Sequence, residues 1–121
     1  MKYLEMALDS QRHEIVENPD AHGKKTGDCG DSVEFYLSIR DNHLQSISFS
    51  TDGCLNTNAC ANTVARLGEG KSLEGAWEIT PEMIIEYLET LPSHETHCAE
   101  LAVGAFYLAL SGYRDKMEET G

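Results

Sequence analysis

Val33, Phe35, Leu37 and Ile39 alternate with Ser32, Glu34, Tyr36, Ser38 and Arg40. After Asp41, Asn42 and His43, which carry turn chemistry, Ile47, Phe49 and Thr51 alternate with Ser46, Ser48 and Ser50. A strict period of two on either side of a short polar break specifies an antiparallel hairpin with one buried face. No other feature limits the fold so sharply. A single hairpin cannot stand alone in water, so its apolar face needs helices to cover it.

The sequence supplies them. Tyr3, Met6 and Ala7 recur at helical spacing, which predicts a helix from Lys2 to about Val16. The stretch Glu17 to Asp31, ENPDAHGKKTGDCGD, is dense in glycine and reads as a loop. Beyond Cys54 the period changes to helical, with Ala61, Val64, Ala65 and Leu67 on one face and Gly68 as a stop. Ser72 can cap a short helix through Trp77. Thr80-Pro81-Glu82 is a strong helix start, and that helix runs to about Leu88. After the break at Pro92, a last helix runs from His97 to about Met117. Its apolar face is built from Leu101, Ala102, Ala105, Phe106, Leu108 and Ala109. The expected fold class is α+β: a small antiparallel β-sheet packed against several helices.

A length of 121 residues implies one domain over 1–121. A chain of this size buries roughly two thirds of its extended surface, enough for a core without staples. The net charge of −12 argues against nucleic acid, whose phosphates need a basic patch, and against an anionic membrane surface. The first residues hold no apolar run of signal-peptide or membrane-span length, so a cytoplasmic location is expected. In that compartment four cysteines point to metal ligands or reactive thiols rather than disulfides.

Three of the four cysteines stand at element boundaries. Cys29 precedes the first hairpin strand, Cys54 follows the second, and the two ends of an antiparallel pair lie side by side. Cys98 begins the last helix, directly after His97, where the helix dipole is expected to lower its pKa toward thiolate. Asp31 can present a carboxylate to the same point. Cys29, Asp31, Cys54, His97 and Cys98 are therefore the candidate site. Cys60, between Ala59 and Ala61 in a helical pattern, reads as core.

These motifs resemble an iron–sulfur cluster assembly scaffold of the IscU type, the fold shared by the N-terminal domain of NifU. Glu17 to Gly23 resembles the family's Asn-Pro-x-x-x-Gly loop. Cys29-Gly30-Asp31 and His97-Cys98 match its first and third cysteine motifs, Asp52-Gly53-Cys54 sits where the family has Tyr-Gly-Cys, and Gly70 to Ala76 matches its Gly-Lys-Ser/Thr-Leu stretch. The resemblance implies a carrier rather than an enzyme. A cysteine desulfurase would deliver persulfide sulfur to Cys98 or Cys29. Iron would bind, a [2Fe-2S] cluster would assemble on Cys29, Cys54 and Cys98 with Asp31 or His97 beside them, and apo iron–sulfur acceptor proteins would receive it. Zinc fits the same ligands. Two alternatives stand beside this: a SufU-like zinc-containing sulfurtransferase, against which the short Cys54–Cys98 spacing counts, and a small structural zinc domain for protein contacts. Monomer and homodimer are both open. The family's Leu-Pro-Pro-Val-Lys chaperone handle reads Leu91-Pro92-Ser93-His94-Glu95 here, which implies transfer without a dedicated chaperone.

Overall fold

A computed structural model describes residues 2–8, 12, 14–27, 30–89, 91 and 95–120. The chain runs α1 (Lys2–Leu8), β1 (Ala21–Thr26), β2 (Ser32–Arg40), β3 (His43–Asp52), α2 (Leu55–Gly68), α3 (Leu73–Ala76), α4 (Pro81–Leu88) and α5 (His97–Thr120). The three strands form one antiparallel sheet in the order β1-β2-β3. The expected hairpin is its centre, with Phe35 opposite Phe49 and Ser32 opposite Asp52 at the open end, away from the turn.

β1 corrects the reading of Glu17 to Asp31 as a loop. Ala21 pairs with Leu37, Gly23 with Phe35 and Thr26 with Ser32. The glycine at 23 is not a turn signal. A Cβ there would lie 2.3 Å from the Ala109 backbone nitrogen and 2.7 Å from the Ala105 carbonyl oxygen. Its missing side chain lets the backbone of α5 lie directly on the strand, a recognised use of glycine within sheets.

α1 ends at Leu8, short of the expected Val16. Seven residues are too few to hold a helix by propensity alone. Two amides one turn apart on α2 hold its end instead: Asn58 Nδ2 donates to the Ala7 carbonyl (2.9 Å) and Asn62 Nδ2 to that of Met6 (3.1 Å). Further on, the backbone pairs with β3: Phe49 N–H donates to Arg12 O at 2.9 Å and Glu14 N–H to Phe49 O at 3.0 Å. The free edge of β3 is thereby paired at Phe49.

α4 follows its sequence signals closely. Thr80 accepts from the Met83 N–H, Pro81 is the first helical residue, and Glu89 closes the helix at φ 62°. At the end of α2 the left-handed residue is Gly70 (φ 87°), not Gly68. Gly68 matters instead for packing, since a Cβ would fall 2.8 Å from Ile47 Cδ1.

The core lies between the inner face of the sheet and helices α2 and α5. Val33, Phe35, Leu37, Ile47 and Phe49 meet Ala61, Val64, Ala105, Phe106 and Ala109, all buried. The Phe35 and Phe106 rings meet edge-on with centroids 5.7 Å apart, a favoured arrangement. Cys60 is fully buried here, as expected. Leu108 is not: it is 49% exposed, on the solvent side of α5. Among the described residues no helix is long and apolar enough to cross a membrane.

Candidate functional site

Three chain segments meet at one end of the sheet. The last β2–β3 pair is Ser32 with Asp52, so Asp31 and Gly53 leave the ladder side by side. Asp31 rests against the bare α-carbon of Gly53, where a Cβ would sit 2.5 Å from its carboxyl carbon. Any larger residue would push the carboxylate away. Cys54 follows in extended conformation (φ −83°, ψ 174°) as the N-cap of α2, with no side-chain capping bond. Its side chain is thus turned to other use, and it is exposed. Cys98 enters from the first turn of α5 and is buried.

Asp31, Cys54 and Cys98 each place a ligand atom within 4.8 Å of the others. A second group, Glu95, His97 and Cys98, meets the same limit. His97 is exposed and reaches the site beside Cys98, its Nε2 3.7 Å from Sγ. Cys29, expected here, lies outside the described residues.

Thr57 links the first group. It stands one turn into α2 and is fully buried. Its hydroxyl donates to Asp31 Oδ2 at 2.6 Å and lies 3.6 Å from Cys98 Sγ and 3.7 Å from Cys54 Sγ. That bond, with the Cys54 backbone N–H behind it, holds the Asp31 carboxyl below its ordinary pKa against the opposing effect of burial.

Cys98 behaves contrary to the dipole expectation. Burial is the largest influence on it. The hydrogen bond to Glu95 (Sγ donating to Oε2, 3.5 Å) and the nearby Cys54 add to burial, and Thr57 opposes them. The thiol is pushed up to about 12. Desolvation of a thiolate here outweighs a helix-terminus field that fades within one turn. Before a cation arrives, Cys98 is a neutral thiol.

Sequence reasoning did not select Thr57 or Glu95 for the site. Each is three residues from a selected cysteine, Thr57 after Cys54 and Glu95 before Cys98, and that one-turn spacing was the available signal.

Residues 6–120 match the family model described as the NifU-like N terminal domain. The chain belongs to the NifU-like N-terminal domain family. A relative in Archaeoglobus fulgidus, named iron–sulfur cluster assembly scaffold protein IscU 1, is 33% identical over 99 residues, covering 77% of this chain and 65% of the relative. The chain therefore spans just under two thirds of that relative's length. Among solved structures, a Fervidobacterium islandicum protein described as a candidate scaffold for the SUF system superposes with TM-score 0.77 at 18% identity, over 90% of this chain and 93% of that one. A NifU-like N-terminal protein from Brucella abortus gives TM-score 0.76 at 20% identity, over 95% and 93%. These structural likenesses establish the NifU-like fold: the three-stranded antiparallel sheet with its covering helices.

Proposed function

We propose that residues 1–121 act as one carrier domain, an iron–sulfur cluster assembly scaffold. On this reading the domain accepts sulfur from a cysteine desulfurase, builds a [2Fe-2S] cluster on Cys29, Cys54 and Cys98 with Asp31 or His97 as the remaining ligand, and passes it to apo acceptor proteins. The observation that carries the reading is the approach of Asp31, Cys54 and Cys98 to within 4.8 Å in a chain of this family. Thiolates are the natural ligands of such a cluster. A carboxylate among them is a harder, poorer match for a sulfur-rich cargo, which suits release. Gly53 and Thr57 fix that carboxylate by backbone contact and by hydrogen bond.

The sulfur is accepted by Cys98 or Cys29. The acceptor thiolate attacks the terminal sulfur of the donor persulfide, an S–S bond forms as the donor's breaks, and the donor cysteine leaves as thiolate. For Cys98 the thiol proton must first go to solvent, and coordination of a cation at Sγ drives that loss.

The test is anaerobic reconstitution with ferrous iron and sulfide. A visible sulfide-to-iron chromophore is expected in the native chain and is lost in Cys54→Ser, Cys98→Ser and Cys29→Ser. A colourless protein with one zinc that iron does not displace would instead favour the SufU-like sulfurtransferase.

A further inference from the structure

Glu95, His97 and Cys98 form a compact triangle at the entry to α5. Glu95 Oε2 is 3.5 Å from Cys98 Sγ and 3.6 Å from His97 Nε2, and that nitrogen is 3.7 Å from Sγ. Ligand atoms around a tetrahedral cation, with bonds of about 2.0–2.3 Å, stand about 3.3–3.8 Å apart. All three edges therefore fit one face of a tetrahedron with no side chain moved. The His97 side chain is 48% exposed, so water or an incoming ligand can supply the fourth donor.

The chemistry of the set is as specific as its shape. Carboxylate oxygen, imidazole nitrogen and thiolate sulfur together suit a borderline first-row cation such as Fe²⁺ or Zn²⁺, and not Ca²⁺ or Mg²⁺, which take oxygen ligands. One carboxylate and one thiolate balance the charge of a divalent ion. The backbone fixes two of the three: Ala99 N–H donates to Thr96 O at 3.0 Å, closing the turn that holds His97 and Cys98. This group shares only Cys98 with the Asp31, Cys54 and Cys98 group.

We propose that Glu95, His97 and Cys98 form a second divalent-cation site, with Cys98 Sγ bridging it to the site on Asp31 and Cys54. Cation uptake breaks the Cys98 S–H bond, sends the proton to solvent and forms the metal–sulfur bond, and no electron changes hands. The proposal deepens the scaffold reading and rests on it for its purpose: a two-iron cargo needs two iron positions side by side, and a shared thiolate provides them before sulfide arrives.

Cobalt(II) alone is the probe, bound anaerobically to the full chain and counted by equilibrium dialysis. The native chain is expected to take up two Co²⁺. Glu95→Gln and His97→Ala, checked for unchanged far-ultraviolet circular dichroism, should each take up one and keep a thiolate-to-cobalt band. Asp31→Asn should weaken one equivalent about tenfold and leave the Glu95-dependent one. Two Co²⁺ in Glu95→Gln, or one in the native chain, overturns the proposal. So does unchanged stoichiometry with only a uniform weakening of about 10–100-fold, which marks Glu95 as a positioning residue behind another ligand. Reconstitution with iron and sulfide separates the two readings. A native chromophore with a single Co²⁺ rejects the second site and leaves the scaffold standing, whereas absence of the chromophore in the native chain rejects the scaffold.

Discussion

Gly23→Ala adds one methyl group where β1 meets α5, and the cost follows from the geometry. The new Cβ would lie 2.3 Å from Ala109 N, 2.7 Å from Ala105 O and 2.8 Å from Ala109 Cα. All three are backbone atoms, so no rotamer change relieves the clash. The helix must retreat by about 1 Å to reach ordinary contact distance. Such a gap forfeits a quarter to a half of each dispersion contact it opens. If the affected patch matches one buried leucine, roughly 40–60 atom pairs at 0.1–0.2 kcal/mol, the loss is about 3 kcal/mol. That lies at the upper end of measured overpacking costs of about 1–3 kcal/mol, and it is a large share of a domain's stability of about 5–15 kcal/mol. Urea unfolding followed by circular dichroism measures it, with a drop in melting temperature of roughly 10 °C as a second readout. Gly112→Ala is the internal control. It lies on the same helix, and its Cβ would meet only His22 O at an ordinary 3.7 Å. Relief of helix-glycine entropy should make it stabilising by about 0.5–1 kcal/mol. Gly23→Ala within 0.5 kcal/mol of the native chain, or equal destabilisation by both substitutions, would refute the reasoning.

Four further outcomes are expected. In the metal-free protein at neutral pH, peptide mapping after iodoacetamide treatment should find exposed Cys54 modified at least tenfold faster than buried Cys98; equal rates would contradict the burial of Cys98. Because the folded-state pKa of Cys98 is raised from 9.0 to about 12, its contribution to stability is complete below pH 9 and is lost as pH rises through 12. Cys98→Ala should flatten that alkaline slope, and an unchanged slope would assign it elsewhere. Thr57→Val removes the main cause of the depressed Asp31 pKa, so the Asp31 carboxyl carbon should titrate at higher pH in NMR; no movement would show that the hydroxyl does not hold the charge. Cys60→Ser places a hydroxyl in a fully buried position and should cost about 1 kcal/mol or more while leaving the reconstituted chromophore intact; loss of the chromophore would make Cys60 a ligand.

The hairpin was legible because burial of one face imposes a period of two on β2 and β3, and a slip by one residue would expose the whole core face. α4 was legible because Thr80, Pro81 and Glu82 each act within one turn. β1 was not, because Gly23 and the lysines beside it carry no strand propensity. The strand exists through its pairing with β2 and the approach of α5, and neither is local. The extent of α1 was set likewise by Asn58 and Asn62, some fifty residues away. In the site, Asp31, Cys54 and Cys98 stood out by residue type and position, whereas Thr57 and Glu95 look like ordinary polar residues of a helix start. The thiol of Cys98 was misread because a dipole can be inferred from a helix boundary and burial cannot.

Asp31, Cys54 and Cys98 come from three separate stretches that meet only when the sheet has closed and both α2 and α5 have docked. An unfinished chain therefore offers isolated side chains, each a weak ligand that must bear loop-closure entropy before a second can join it. On the proposed scaffold reading, tight capture of metal is reserved for the completed tertiary structure, and the resulting coupling runs both ways. Iron held by the domain would guard it against unfolding, and a newly synthesised chain would leave the metal to its mature copies.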